Sequence, residues 1–475
     1  MKKTKMIILG IAVLFLLSAA GIVMLSVTKS TDKEAKKDET TFAYFTDVEV
    51  FQTVPRMKGE NISVTDARDV GDGSYMLFGE NTSLDEYKAY LKLLEEKGYK
   101  KQVDNGEKGI DEQVYLAHYL KDDLLVTVTY FVGLQKTMIN ASTNTALSPN
   151  LTYDESYVAD NKPGAKTKFH LPEMWTAGNS FIFQLKNGHF ILHDGGVLDE
   201  LPYLLDYLES LVPAGEVPVI EAWFMTHAHV DHVGLAAGLI QDKQSAERIR
   251  VNSIYYSDPG QDVKNQFART EKVTSLPLYA KNVSNAVKTA DGGKPEVYKP
   301  RVGEVYYFND IKIEMVYSGE LLEPIKWKTW NAGSIVQMFY IEGQKLLITA
   351  DTEFECQEIM MKMFDSSYFN LDFYQAPHHG LNVHTEFTRY FESVKTVIYP
   401  SVRLNSAASE DSYLGRRVQN AYLKTISEEA FSFYDGTKIF TFPYSVGEAE
   451  CLPERTAEQW IYNGGEKPTW KPKTQ

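Results

Sequence analysis

Six of the ten histidines fall in two short clusters. His227, His229 and His232 lie with Asp231 in "THAHVDH", directly after the apolar run "VIEAWFM". His378, His379 and His384 lie in "APHHGLNVH", directly after "FNLDFYQ". A lone histidine is usually a hydrogen-bonded structural residue. Three histidines and an aspartate packed just past a strand-like run are better read as metal ligands, because imidazole and carboxylate are the donors zinc prefers, with manganese and iron next. The His-x-His pair can place two imidazoles on one ion. Asp231 and His232 can then face a second ion at the ~3.5–4 Å separation of two-metal hydrolytic sites.

Such a pair of ions needs a bridging carboxylate and one more imidazole. "KLLITAD" is a strand-like run that exposes Asp351 at its end, and "FYQAPHHG" is another that ends in His378 and His379, with Gly380 allowing a tight turn. Strand ends that converge on one rim are how an α/β sheet builds a site. The elements that must hold these residues are legible as near-continuous apolar runs, "NSFIFQL", "HFILHDGG", "GSIVQMFYIEG" and "KTVIYPS" among them. Runs of that kind are expected of strands buried on both faces. Helical patterns such as "DELPYLLDYLESLV" and "EFECQEIMMKMF" fall between them, so a layered α/β domain is expected.

In this order, "THAHVDH", an aspartate after "LLITA", and "APHHG" resemble the metallo-β-lactamase superfamily of metallohydrolases over roughly residues 166–443. The resemblance implies an αβ/βα sandwich and two divalent metal ions, Zn²⁺ first and Mn²⁺ second. It implies His227, His229 and Asp351 as ligands of one ion. For the other it implies Asp231, His232, Asp351 and His379, with His378 as the fallback. Asp194 in "FILHDGG" matches an early aspartate-glycine turn of the family, which would orient a ligand or its loop. No histidine occurs between His232 and His378, where lactamase- and thioesterase-type members carry a ligand. The chain has "WNAGSIVQMFYIEGQKLLITAD" there, similar to the hydrolase domain of ComEC-type competence proteins, which places Asn331 and Ser334 at the site rim.

The implied chemistry is hydrolysis by a metal-activated hydroxide. Asp231 would help hold the nucleophile and His384 would protonate a leaving group. The ComEC-type pattern directs the expectation to phosphoester or phosphodiester bonds, in a small molecule, a cell-envelope component or a nucleic acid. Two other readings use the same residues: a lactam or thioester hydrolase, and a non-catalytic, membrane-tethered binding protein. Between Lys264 and Arg301 eight Lys/Arg face three acids, a net +5 stretch that could attract an anionic substrate or be a solvated insertion.

A formal net charge of −15 disfavours a dedicated binder of long nucleic acids. At 475 residues more than one domain is expected. Residues 1–28 hold three lysines and then an apolar run, Met6–Val27, long enough to span a bilayer. They read as a signal anchor that leaves the catalytic body extracytoplasmic, or as a cleaved signal peptide with Ser18 and Ala20 before the cut and a secreted product. Residues 29–40 read as a linker and 41–147 as a small α+β accessory domain that would dock an unidentified protein partner. Its helix "SLDEYKAYLKLLEEKGYK" has Ser83 and Glu86 as a capping box, an apolar stripe of Tyr87, Tyr90, Leu91 and Leu94, and Gly98 as its stop. Its lone His118 reads as structural. Residues 148–165 read as a connector, 166–450 as the hydrolase domain and 451–475 as a tail. Cys356 and Cys451 are one pair available for a disulfide in an exported protein.

Overall fold

The computed structural model describes residues 48–152, 161–174, 178–258, 260–267, 275–391, 393–400, 418–433 and 436–455. The expected membrane span and linker, residues 1–40, lie outside them. Among the described residues no helix is long and apolar enough to cross a membrane.

The first sheet has seven strands in the order β1-β3-β7-β6-β5-β4, with β2 added beside β3. They are β1 (Ser63–Val64), β2 (Arg68–Gly71), β3 (Ser74–Glu80), β4 (Lys100–Asp104), β5 (Val114–Lys121), β6 (Leu124–Phe131) and β7 (Lys136–Ser142). Helix α1 (Leu84–Glu96) lies against one face. Its capping box forms as the sequence predicts: Ser83 Oγ accepts from the Glu86 N–H at 3.2 Å, and Glu86 Oε2 accepts from the Ser83 N–H at 2.8 Å. Tyr87, Tyr90 and Leu94 are buried and Leu91 is partly so. The other face carries Val70, Met76, Val114, Phe131 and Met138 into one apolar cluster with residues from beyond position 300.

The remaining strands form two more sheets. One has eight strands in the order β13-β12-β11-β10-β9-β8-β21-β22, namely Glu296–Tyr298, Arg250–Tyr256, Val219–Met225, Phe190–Asp194, Ser180–Gln184, Lys168–Leu171, Lys438–Thr441 and Glu450–Cys451. The other has seven in chain order, β14 to β20: Val305–Phe308, Ile311–Tyr317, Val336–Ile341, Gln344–Ile348, Asn370–Gln375, Ser393–Tyr399 and Glu429–Ser432. Their inner faces meet in an aromatic-rich core that includes Phe169, Phe183, Phe339, Phe373 and Phe440. Phe183 of one sheet stacks on Phe339 of the other with ring centroids 4.5 Å apart. Such a pair adds about 0.5–1.5 kcal/mol beyond its buried area.

Helices cover the outer faces. α2 (Leu201–Ser210), α3 (Gly234–Gln241) and α4 (Leu276–Ala286) contribute Leu205, Leu235 and Val283 to the cluster over the eight-stranded sheet. α5 (Phe354–Met363) and α6 (Thr385–Tyr390) contribute Met360 and Phe387 to the cluster over the seven-stranded sheet. The result is an αβ/βα sandwich. Both cysteines are free thiols, Cys356 buried and Cys451 exposed.

The strand directions explain where the site lies. β10 and β11 are parallel neighbours, and so are β17 and β18 in the other sheet. Each pair therefore brings its C-terminal ends, and the loops that follow, to the same edge of its sheet. Asp194 ends β10, and the loops carry His227 to His232, then Asp351, then His378 and His379.

Candidate metal centre

The loop after β11 is held against the loop after β10 by main-chain bonds. The Gly234 N–H donates to the Gly196 carbonyl at 2.7 Å and the Leu235 N–H to the Gly195 carbonyl at 2.9 Å. Only glycine fits at 234, because a Cβ there would lie 2.1 Å from the Val197 carbonyl carbon. The glycines that follow "HD" and "DHV" thus let two loops touch, which brings Asp194 beneath the histidines.

Asp194 fastens this arrangement. Its carboxylate accepts from the Thr226 N–H and hydroxyl, both at 2.8 Å, and from His232 Nδ1 at 2.7 Å. His232 therefore carries its proton on Nδ1 and turns the Nε2 lone pair inward. His379 is set the same way: its Nδ1 donates to the Pro400 carbonyl and its Nε2 faces Asp231 and Asp351. His227 Nδ1 lies 3.1 Å from the Thr226 hydroxyl and 3.4 Å from Ser334 Oγ, and the same Ser334 oxygen accepts from the Asp351 N–H at 3.3 Å. Such outer bonds fix the ring orientation of a ligand histidine.

Two donor groups result. Asp231, His232, Asp351 and His379 form one, and His227, His229 and Asp351 form the other; within each, the donor atoms lie within 4.8 Å of one another. Asp351 Oδ2 is 3.3 Å from both His232 Nε2 and His379 Nε2, and 3.9 Å from His227 Nε2. Asp351 is thus common to both groups.

The backbone is strained where these donors are presented. Asp194, Ala350, His378 and His379 all have left-handed φ, between 47° and 62°. Non-glycine residues adopt this region at a cost, and such residues cluster at functional sites.

The electrostatics call for positive charge at the centre. Burial would raise the Asp351 carboxyl, yet His379 and His232 hold it well below the usual carboxylate range. Burial would lower His232, yet Asp351, Asp194 and Asp231 hold it well above its ordinary value. Against the same burial, Asp351 and Asp231 push His379 up to about 10. Burial, with His232 beside it, pushes His227 well down. At the same time His232 Nε2 and Asp351 Oδ1 are buried without a hydrogen-bond partner. Inward lone pairs, two carboxylates and unsatisfied buried donors at one point fit divalent cations of the N/O-preferring kind.

The other expected site residues are distributed as follows. His378 stays outside both groups, 3.9 Å from Asp351 Oδ2 and more exposed than His379. Asn331 reaches His378 and Glu353, and Ser334 supports His227. His384 is used differently from the expected leaving-group acid. Its Nδ1 accepts from the Glu386 and Phe387 N–H groups, so it caps α6, and its Nε2 lies 3.7 Å from Glu358. Glu353 and Asn382, which bond to one another and surround His378, had no sequence signal. They lie 29 residues apart and meet only through the fold.

The basic stretch from Lys264 to Arg301 is not one cationic surface. Arg301 and Lys299 are buried on Glu320, with Lys299 Nζ 2.9 Å from its carboxylate, and Lys264 pairs with Asp258 at 2.7 Å. Arg301 Nη2 also donates to Ser74 Oγ at 2.9 Å, which ties this segment to the first sheet. His118 joins the same junction, with Nδ1 2.9 Å from Thr127 Oγ1 and Nε2 3.1 Å from Glu304.

Residues 174–388 match the sequence profile of the metallo-beta-lactamase superfamily. No curated protein matches the chain. Among solved structures the chain is similar to the metallo-beta-lactamase fold protein YhfI from Bacillus subtilis, at 13% identity, over 58% of this chain and 99% of that one, with a TM-score of 0.35. It is also similar to a metallo-beta-lactamase with a HARLDQ motif from Cronobacter sakazakii, at 16% identity, over 44% of this chain and 77% of that one, with a TM-score of 0.24. The "THAHVDH" loop, Asp351 and His379 all fall within the matched residues, and the chain carries a metallo-beta-lactamase superfamily domain at residues 174–388.

Proposed function

We propose that this domain is a binuclear metal-dependent hydrolase acting on phosphoester or phosphodiester bonds. The observation that carries the reading is a three-donor group beside a four-donor group, with Asp351 common to both. Sites with three protein ligands keep a position open for water or substrate, which is the arrangement of catalytic rather than structural ions. When bound, two divalent cations supply an acidified water and neutralise charge that develops on the substrate oxygens.

The chain's own residues do the rest. Asp351 holds both groups in register. Asp194 and the Pro400 carbonyl keep His232 and His379 in the tautomers that offer Nε2. Asp231, less buried than Asp351, borders the open side and can accept a hydrogen bond from the attacking water. Ser334 keeps His227 and the Asp351 loop together. A phosphoester is favoured over a lactam or thioester because Asn331 and Ser334 stand in the interval where those hydrolases place a ligand histidine. The apolar run at residues 6–27 would tether this body outside the membrane, which protease accessibility on intact cells would test.

The function is tested by a substrate panel on protein lacking residues 1–40, loaded with Zn²⁺ or Mn²⁺. Turnover of bis-p-nitrophenyl phosphate or a cyclic dinucleotide, with none of nitrocefin, is expected. Nitrocefin turnover alone would replace the reading with a lactamase, and metal binding without any turnover would favour a binding protein.

A further inference from the structure

His378 and His379 are adjacent, and the fold gives them opposite tautomers. Glu353 sets this in motion. Its carboxylate, acceptor only, receives the Thr329 hydroxyl at 2.8 Å, Asn331 Nδ2 at 3.3 Å and Asn382 Nδ2 at 2.9 Å. Neither amide can turn its oxygen toward Glu353 without setting two acceptors against each other. The second N–H of Asn382 Nδ2 then points at His378 Nδ1, 2.7 Å away. Nδ1 must accept that bond, so the ring proton of neutral His378 resides on Nε2. Asn331 Nδ2 is within hydrogen-bond distance of both ring nitrogens, 3.3 Å from Nδ1 and 3.4 Å from Nε2, and with the proton on Nε2 its second N–H is given to Nδ1 beside that of Asn382. The Nε2–H is left at the open rim, 3.9 Å from Asp351 Oδ2 on a side chain that is 28% exposed.

We infer that His378 is a neutral hydrogen-bond donor to a non-bridging oxygen of the substrate, and that Glu353 and Asn382 are the positioning residues that keep its proton on Nε2. This rests on the phosphoester reading above for the identity of the oxygen. The assignment separates the two histidines by chemistry: His379 offers a lone pair inward, and His378 offers a proton to whatever enters. A donor held by the Asn382 amide and the Glu353 carboxylate needs no reorientation as charge grows on the substrate oxygen, which is the arrangement that stabilises such charge most effectively.

The test uses the protein without residues 1–40 and three readouts. His378→Asn keeps a residue tolerant of left-handed φ but draws the donor back from the Nε2 position, whereas His378→Gln restores an amide N–H near it. The first should lower kcat for bis-p-nitrophenyl phosphate roughly 10²-fold, with the Gln variant recovering part of the loss. Metal content should equal wild type in both. Long-range ¹H–¹⁵N spectra should show His378 protonated on Nε2 in wild type, with the signal moving toward a mixed tautomer in Asn382→Leu. Loss of a metal equivalent in His378→Asn, or a wild-type proton on Nδ1, would overturn the assignment. So would unchanged turnover in His378→Asn. If wild type hydrolyses no phosphoester, the functional reading fails on its own, while metal content and nitrogen shifts still decide the role of His378.

Discussion

His232 Nδ1 and Asp194 Oδ2 are 2.7 Å apart, and both side chains are fully buried. The aspartate also accepts two bonds from Thr226, so one carboxylate fixes the start of the "THAHVDH" loop and the direction of its last histidine. Asp194→Asn keeps the size and tolerates the left-handed backbone but exchanges one acceptor oxygen for a donor. Loss of such an outer partner costs about 10–100-fold in metal affinity. Chelator competition should show that drop, with far-UV circular dichroism unchanged.

His384 provides a contrast. As a cap of α6 it contributes on the order of 1 kcal/mol, the usual worth of a side-chain cap. His384→Ala should lower the denaturation midpoint slightly and leave kcat within about twofold of wild type, the kinetic size of an uninvolved residue. A thousandfold fall in kcat would return it to the site.

The junction between the first sheet and the sandwich depends on Arg301. Its guanidinium meets Glu320 and Ser74, and all three are buried. Burial would raise the Glu320 carboxyl, but Arg301 and Lys299 hold it below its ordinary value. Removing one partner of a buried ion pair costs roughly 3–5 kcal/mol because it strands the other charge. Glu320→Ala, which strands the buried Lys299 and Arg301 together, should lose stability of that order in urea denaturation, whereas Arg301→Ala, which leaves Glu320 paired with Lys299, should lose less.

These three residues also show what the sequence could and could not reveal. Asp194 was legible because the aspartate-glycine turn is local and follows a strand-like run. His227, His229, Asp231 and His232 were legible for the same reason, and Asp351 and His379 because each ends an apolar run. His384 looks like chemistry in the sequence because it lies near a histidine pair, while its capping bonds depend on where α6 starts. Lys299 and Arg301 were read as part of a cationic stretch because their partner Glu320 lies in a different loop and their burial is tertiary. The helix and hairpin of residues 83–131 were visible from their periodicity and caps. β4, "KKQVD", was not, since its outward side chains carry no apolar alternation.

Metal binding should also stabilise the fold. Cations that bind only the folded chain add RT ln(1 + [L]/Kd), about 2.7 kcal/mol at a hundredfold excess over Kd. A thermal scan should show Tm rising with Zn²⁺ and returning to its starting value with excess chelator. A Tm indifferent to both would mean that the cluster does not hold an ion.

The most direct test of the central claim is metal stoichiometry by inductively coupled plasma mass spectrometry, in wild type and in Asp351→Asn. If Asp351 is the residue common to two ion sites, wild type should hold two equivalents per chain. The variant should hold fewer than one, with its fold intact by circular dichroism. Two equivalents retained in Asp351→Asn, or no more than one in wild type, would contradict the shared-carboxylate centre.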